Sequence, residues 1–167
     1  MINVIILTGD KQSGKTTFLK NWCVTQQYIA GILTPIVDDK RCFYDIETTA
    51  FSNMEVATHP PLNEGILIVG KYFFSQQNFA KAATTLMDAC ANSSLKYLII
   101  DEIGPLELKQ QKGFNQALLF VLEHLQKKVQ LIIVVRQNCI EDIVQLLNVY
   151  NRQSSIFSIE QLQLLLA

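Results

Sequence analysis

Short apolar runs alternate with segments of helical period along the chain. The first run, Val4 to Leu7, is bounded by Gly9, and the segment Lys15 to Gln27 carries apolar side chains at helical spacing. This order predicts a strand, a loop and a helix. Further apolar runs predict strands at "GILIVGKYFF", "KYLIIDE", "VQLIIVV" and the shorter "SIFSI".

Later segments have an apolar stripe of helical period. Ser75 is a suitable N-cap for a helix whose apolar positions, between Phe79 and Cys90, share one face. Gly113 to Lys128 has the clearest stripe, and a further helix is expected near Ile140 to Tyr150. The last residues, "EQLQLLLA", predict a terminal helix.

Two β-rich segments, "GILTPIV" and "CFYDIETTAF", flank the polar residues 38–41. Two such runs over a short polar turn predict an antiparallel hairpin. The segment from Met54 to Gly65 contains the adjacent prolines Pro60 and Pro61, and it predicts a loop.

The alternation of strands and helices predicts an α/β fold. We expect a mostly parallel sheet with helices on both faces, and an added antiparallel hairpin. The runs "YLIIDE" and "LIIVV" are apolar without alternation, as is typical of strands buried on both faces. The chain has 167 residues and no internal repeat, so we expect one domain, residues 1–167.

Composition narrows the function classes. Apolar residues make up 49% of the chain, charged residues 17%, and the net charge is −1, so nothing predicts binding to nucleic acid or to an anionic membrane. The apolar runs fall far short of the roughly 20 residues of a spanning helix, and no signal peptide is visible. The four cysteines form no C-x-x-C pair, which disfavours zinc and predicts free, mostly buried thiols in the cytoplasm.

The segment "GDKQSGKTT" carries the first chemical signal. Gly9, Gly14, Lys15 and Thr16 satisfy the Walker A pattern G-x-x-x-x-G-K-[ST], and a predicted strand and helix flank it as a phosphate-binding loop requires. Backbone N–H groups of such a loop surround phosphate oxygens, and the helix N-terminus adds partial positive charge. Lys15 would contact the β- and γ-phosphates, and the Thr16 hydroxyl would hold Mg²⁺. The alternative is a glycine-containing turn that binds nothing.

A second signal ends the predicted strand "KYLII". Asp101 closes this strand, and the carboxyl ends of parallel strands line one crevice, so we expect Asp101 at the same edge as the phosphate loop. There it would support Mg²⁺. The adjacent Glu102 would polarise a water molecule aimed at the γ-phosphate, which favours hydrolysis over transfer. The bland alternative is a solvated residue at a strand end.

Three segments together resemble one family. The loop "GDKQSGKTT", the segment "VGKY" and the run "DEIGPLEL" look like the small P-loop nucleoside-triphosphatases of the thermophile and human cancer-related type. The resemblance covers most of the chain and implies a three-layer α/β/α, RecA-like domain. It also implies Mg²⁺-dependent hydrolysis of ATP, GTP and other triphosphates with low base specificity. Carried over, Asp101 supports Mg²⁺, Glu102 is the base, and the nucleotide-binding residues are Gly9, Asp10, Lys11, Gln12, Ser13, Gly14, Lys15, Thr16 and Thr17.

The hairpin departs from the family pattern. Family members often read "GFYT", then an arginine, then a turn that contains glycine. Here Leu33 replaces the tyrosine, Pro35 follows Thr34, and Cys42 stands where glycine is common. The contribution of the hairpin to nucleotide contact is therefore left open.

Other charged residues carry weaker signals. Arg136 ends the strand "LIIVV" and is either a γ-phosphate sensor that acts like an arginine finger in cis or a surface charge. Lys71 follows "ILIVG" and raises the same choice, with the surface charge favoured. Arg41 is predicted to be a solvated charge in the hairpin turn, rather than a contact to nucleotide or a neighbouring subunit. Glu107 either orders the loop after Gly104 or is a helix-cap charge.

Two other functions stay open at this level. A kinase would need an acceptor pocket, most plausibly in the hairpin and the Met54–Gly65 loop, but the chain has only three arginines and no arginine-rich lid. A nucleotide-dependent switch would dock a protein partner that the sequence does not identify. Slow triphosphate hydrolysis is the prediction that we carry forward.

Overall fold

The computed structural model describes residues 3–56 and 65–167. The strands in chain order are β1 Val4–Leu7, β2 Ile29–Leu33, β3 Ile36–Val37, β4 Lys40–Asp45, β5 Phe51–Asn53, β6 Ile66–Val69, β7 Tyr72–Ser75, β8 Tyr97–Ile103, β9 Gln130–Val135 and β10 Ser154–Phe157. The helices are α1 Lys15–Cys23, α2 Gln76–Ala89, α3 Pro105–Leu108, α4 Asn115–His124, α5 Ile140–Val149 and α6 Ile159–Leu166. A 3₁₀ turn, Gln137–Cys139, precedes α5.

Five parallel strands form the centre of the sheet, in the order β10-β1-β9-β8-β2. Strand β1 lies between β10 and β9, and β8 lies between β9 and β2. The two most continuous apolar runs, β8 and β9, are therefore interior strands. Their apolar side chains are almost all fully buried, as the lack of alternation in the sequence predicts.

Alternate residues of the central strands face two separate apolar cores. Val4 and Ile6 of β1 pack in a core with α2, α4 and α5, whereas Ile5 and Leu7 pack in a second core with α1 and α6. Helices therefore cover both faces of the sheet. The predicted three-layer α/β/α architecture is confirmed.

The predicted antiparallel hairpin is present, but it begins inside the main sheet. Strand β2 is parallel to β8 on one side and antiparallel to β4 on the other, and β3 continues alongside β4 after a break at Thr34 and Pro35. The turn is shorter than residues 38–41. Asp38 and Asp39 alone form it, with φ values of 49° and 62° that suit a two-residue primed turn. The segment "CFYDIETTAF" is also divided, because β5 folds back antiparallel to β4.

The prediction of one strand over "GILIVGKYFF" is wrong. This segment forms a small hairpin in which β6 and β7 pair antiparallel, and Gly70 and Lys71 make the turn. Gly70 has a φ of 59°, which glycine adopts without steric cost. Of the predicted Met54–Gly65 loop, residues 57–64 lie outside the described residues.

The predicted helices all appear, and three are shorter than expected. The first helix ends at Cys23 rather than Gln27, the fourth covers Asn115–His124 rather than Gly113–Lys128, and α5 ends one residue early. Ser75 caps α2 as predicted, since its Oγ accepts the N–H of Asn78 at 3.2 Å. Among the residues described, no helix has the length and apolar character that crossing a membrane would require.

Candidate functional site

The phosphate loop, Gly9–Thr17, connects the buried strand β1 to helix α1. Gly14 is the last residue before the helix, and its φ of 91° is a left-handed conformation that few other residues adopt. The Lys15 ammonium group turns back over the loop. It donates to the carbonyl oxygens of Gly9 at 3.2 Å and Asp10 at 2.6 Å, and to the Ser13 Oγ at 3.1 Å. A cation and a helix N-terminus therefore point to one spot, which suits an anionic ligand.

Asp101 lies beneath the phosphate loop and is 1% exposed. Its Oδ2 accepts the Thr16 hydroxyl at 2.7 Å, and it accepts the backbone N–H and the hydroxyl of Thr34 at 3.0 and 3.2 Å. Burial raises the pKa of the Asp101 carboxyl, and these hydrogen bonds oppose that rise. A nearby divalent cation would favour the ionised form of this carboxyl.

The donor set at this point fits Mg²⁺. A threonine hydroxyl and a carboxylate are hard oxygen ligands, and Mg²⁺ commonly takes one or two protein ligands and completes its shell with water and substrate phosphates. Over residues 3–56 and 65–167, no group of three or more His, Cys, Asp or Glu side chains could hold a metal ion. Thr16 and Asp101 are therefore suited to a metal that arrives with a phosphate ligand.

Glu102 lies at an irregularity in β8. Ile100 pairs with Ile133 and Ile103 pairs with Val135, so β8 has one more residue than β9 at this point and forms a β-bulge. Glu102 has a φ of 76°, which is unusual for a residue with a side chain. Its neighbours Asp101 and Ile103 are buried, whereas the Glu102 side chain is 25% exposed. The bulge thus lets two adjacent acids occupy different environments.

Two arginines hold Glu102. Its Oε2 accepts from the Arg41 guanidinium at 2.5 Å, and its Oε1 accepts from the Arg136 Nε at 3.2 Å. We call these three residues the Arg41–Glu102–Arg136 cluster. The prediction that Arg41 is a solvated turn charge is wrong, because Arg41 belongs to β4 and its side chain is 14% exposed.

The register of β4 places Arg41 in this cluster. Phe43, two residues further on, lies on the same face of the strand. It is 2% exposed, and its ring packs 4.8 Å from the Phe79 ring and 5.6 Å from the Phe114 ring, measured between centroids. A shift of one residue would remove Phe43 from this aromatic core and turn Arg41 to the opposite face. The aromatic core therefore fixes the position of a charged residue in the pocket.

The segment after Glu102 is held by Gly104 and Glu107. A Cβ at Gly104 would lie 3.1 Å from the Arg136 Cδ, so glycine lets the arginine cross the backbone here. The buried Glu107 carboxyl accepts the N–H groups of Gly104 at 3.0 Å and Phe114 at 3.3 Å. Both predicted roles of Glu107 are present: the bond to Gly104, the N-cap residue of α3, caps that helix, and the bond to Phe114 orders the segment that follows. Burial raises the pKa of the Glu107 carboxyl to about 7.

One pocket of about 860 Å³ brings most of the predicted site residues together. The predicted residues that line it are Gly9, Lys11, Gln12, Ser13, Gly14, Lys15, Thr16, Thr17, Asp101, Glu102 and Arg136. Asp10 is not part of the lining, and its carbonyl oxygen accepts from the Lys15 ammonium and from the Ser13 N–H. Lys71 lies apart from the pocket, in the β6–β7 turn, with its ammonium 5.4 Å from the Tyr72 ring.

Sequence reasoning missed two residues at this site. Thr34 binds Asp101 twice through hydrogen bonds, and Arg41 pairs with Glu102. Thr34 follows β2, so the rule that carboxyl ends of parallel strands share an edge could have identified it. Arg41 belongs to an antiparallel strand, to which that rule does not apply.

Fold and site together define a class of protein. A strand–loop–helix with a Walker A sequence lies at the same sheet edge as a buried acid near the end of β8, a parallel strand separated from β1 by β9. P-loop proteins that bind nucleoside triphosphates have this arrangement. A protein-family model described as NTPase matches residues 4–163. The chain therefore belongs to the NTPase family and is a nucleoside-triphosphate phosphohydrolase.

Solved structures show the same fold. A human cancer-related nucleoside triphosphatase superposes with a TM-score of 0.68 at 19% sequence identity, over 93% of this chain and 88% of that one. THEP1 from the hyperthermophile Aquifex aeolicus gives a TM-score of 0.67 at 21% identity, over 93% and 89% of the two chains. No curated protein sequence matches the chain significantly.

Proposed function

We propose that the protein hydrolyses ATP, GTP and other nucleoside triphosphates to diphosphate and phosphate, with Mg²⁺, low base specificity and slow turnover. The observation that carries this proposal is the position of Glu102. Its carboxylate lies next to the buried Asp101 and lines the same pocket as Lys15 and Thr16. A carboxylate so placed can act on a water molecule instead of on a second substrate.

The residues would divide the chemistry as follows. Lys15 and the loop N–H groups bind the β- and γ-phosphates and stabilise the charge that develops on their oxygens. Glu102 accepts a proton from water as the water oxygen bonds to the γ-phosphorus. The bond between this phosphorus and the bridging oxygen breaks, and the diphosphate leaves with the electron pair. Thr16 and Asp101 would hold Mg²⁺, which supplies further charge neutralisation.

Slow turnover and loose base preference have different support. Both carboxylate oxygens of Glu102 contact arginines in this arrangement, so an arginine contact must rearrange before catalysis. This supports slow turnover. Low base specificity rests on the family resemblance. The side chains of Pro35, Ile36 and Val37 also line the pocket, and these apolar groups cannot form hydrogen bonds with a nucleobase.

Phosphate release tests the proposal. We expect release from ATP, GTP, CTP and UTP at rates within about tenfold of one another, and loss of release on chelation of Mg²⁺. Glu102→Gln should lower kcat by about 10²-fold to 10⁴-fold, because general-base catalysis is lost. A Glu102→Gln variant that hydrolyses as fast as the wild type would show that Glu102 is not the base.

An acceptor assay separates hydrolysis from transfer. If the γ-phosphate passes to a small molecule faster than to water, the protein is a kinase and the proposed function fails. Most of the loop that would supply an acceptor pocket, residues 57–64, lies outside the described residues. A cytoplasmic location stays a prediction that rests on the sequence.

A further inference from the structure

The Arg41–Glu102–Arg136 cluster concentrates the ion pairing of the molecule. Within residues 3–56 and 65–167 the structure contains two salt bridges, and both end on Glu102. The pocket around the cluster is rich in cations, since Lys11, Lys15 and Lys20 also line it. Glu102, the proposed general base, is thus held by two arginines inside a pocket whose positive charge suits a triphosphate.

The two arginines of the cluster differ. Both arginines contact Glu102, but the Arg41 side chain is 14% exposed, whereas the Arg136 side chain is 47% exposed. The aromatic core fixes Arg41 through Phe43, as described above. Arg136 follows a strand end and lies across Gly104. Arg41 is therefore the better placed of the two for precise contact with a ligand.

We propose that Arg41 is a catalytic residue that binds the terminal phosphate of the triphosphate, and that its ion pair with Glu102 is the nucleotide-free arrangement that triphosphate binding breaks. This inference deepens the proposed function and rests on it. Arg41 lines the same pocket as the phosphate loop. The exchange requires a change of partner at the end of one side chain.

Charge and geometry favour the exchange. A guanidinium group donates two parallel hydrogen bonds to a phosphate as well as to a carboxylate. The terminal phosphate carries more negative charge than one carboxylate, so Arg41 gains by moving to it. Arg136 continues to hold the Glu102 Oε1. The Oε2 is then free to accept a proton from water while the water oxygen bonds to phosphorus and the bridging oxygen leaves with the diphosphate.

The exchange of partners by Arg41 distinguishes a bound triphosphate from a bound diphosphate. A diphosphate bound in the loop has no γ-phosphate, so Arg41 returns to the Glu102 carboxylate. Only triphosphate binding therefore breaks the Arg41–Glu102 ion pair, and the free energy of this step weakens triphosphate binding alone. Removal of the Glu102 charge should strengthen triphosphate binding while it slows hydrolysis.

A double-mutant cycle on binding tests the exchange. The ligands are the Mg²⁺ complexes of the β,γ-imido analogue of ATP and of ADP, and calorimetry measures each Kd. We expect Glu102→Gln to bind the imido analogue about tenfold more tightly, because a competing state is removed. Arg41→Met should bind the analogue at least about tenfold more weakly and ADP within about twofold of wild type. In the Arg41→Met background, Glu102→Gln should gain nothing.

The controls keep these outcomes distinct. Lys40→Met removes the neighbouring exposed cation of β4, which does not line the pocket, and should leave both Kd values unchanged. Arg41→Lys keeps the charge but loses the two parallel hydrogen bonds of the guanidinium group, so its Kd for the imido analogue should lie between those of wild type and Arg41→Met. Circular dichroism melting checks that each variant folds, and Arg41→Lys runs the cycle if Arg41→Met does not fold.

Two binding results would overturn the inference. If the gain from Glu102→Gln persists in the Arg41→Met background, Glu102 only repels the ligand and no exchange occurs. If Arg41→Met weakens the binding of ADP as much as that of the imido analogue, Arg41 does not bind the γ-phosphate.

Phosphate release gives an independent test. We expect Arg41→Met to lower kcat by about 10³-fold, as for loss of an arginine finger. A kcat near that of wild type would overturn the inference and leave the proposed function intact. A wild-type protein that releases no phosphate would count against the proposed function, whereas the binding cycle would still report on the exchange.

Discussion

The phosphate loop and the β3–β4 hairpin, residues 36–45, contribute to one pocket by different routes. In the loop, Lys15 contacts groups only two to six residues away in the chain. In the hairpin, Arg41 meets Glu102 across 61 residues. The loop depends on local backbone conformation, whereas the hairpin depends on strand register. Local chemistry can therefore survive changes elsewhere, but the position of Arg41 cannot.

Replacement of Lys15 should break the local half of the site with the largest effect. We expect Lys15→Ala to lower kcat/KM for phosphate release by about 10³-fold or more, because a donor to the developing charge is lost. Lys81→Ala, on the exposed side of α2, is the matched control and should be neutral. A colorimetric phosphate assay measures both. Equal rates for the two variants would mean that Lys15 takes no part in hydrolysis.

Replacement of Phe43 should break the hairpin half through its packing. We expect Phe43→Ala to lower the free energy of unfolding by about 3–5 kcal/mol, as for other buried aromatic residues. The folded fraction should hydrolyse slowly, since Arg41 is no longer fixed, but should still bind diphosphate through the loop. Urea unfolding and calorimetry measure the two effects. Full activity per folded molecule would show that register does not position Arg41, and Phe43→Leu is the conservative comparison.

A pH series tests the segment that follows the acidic pair. Glu107 has a pKa of about 7 in the folded protein against an ordinary value of 4.5, so folding favours its protonated form. Its contribution to stability is present below pH 4.5 and is lost as the pH rises to about 7. The effect is at most about 3 kcal/mol. We expect the stability difference between wild type and Glu107→Gln to fall by up to this amount between pH 4.5 and 7.5.

Urea unfolding at several pH values measures that difference. Other acids titrate in both proteins, so their contributions cancel in the comparison. A difference that stays constant across the range would show that the Glu107 pKa is not raised.

Replacement of Thr34 should have the smallest effect, because it removes one of the hydrogen bonds that hold Asp101. Thr34→Val removes the hydroxyl donor to Asp101 but keeps the backbone N–H donor. We expect the Mg²⁺ concentration for half-maximal phosphate release to rise by about tenfold, in line with the loss of other hydrogen bonds to metal ligands. Thr34→Ser should restore it. An unchanged Mg²⁺ requirement would separate Thr34 from the metal site.

The sequence predicted the parallel sheet because its strongest strands are continuous apolar runs. It also predicted the Ser75 cap, since a capping serine before an apolar stripe is a local signal. It failed at "GILIVGKYFF", where Gly70 and Lys71 make a turn inside an apolar run. Helix ends were also misplaced. In the fourth helix, Arg152 donates to the carbonyl oxygens of Leu122 and Leu125 at its carboxyl end, a contact from distant sequence.

The sequence by itself determined the phosphate loop and the acidic pair. The glycines, Lys15 and Thr16 act within one turn of chain, and Asp101 follows from the edge rule for parallel strands. Only the tertiary structure decided the partners of Glu102. A β-bulge turns that side chain into the pocket, and Phe43 fixes the register that brings Arg41 to it. Register and bulges depend on packing between distant segments, and for that reason no local pattern reveals them.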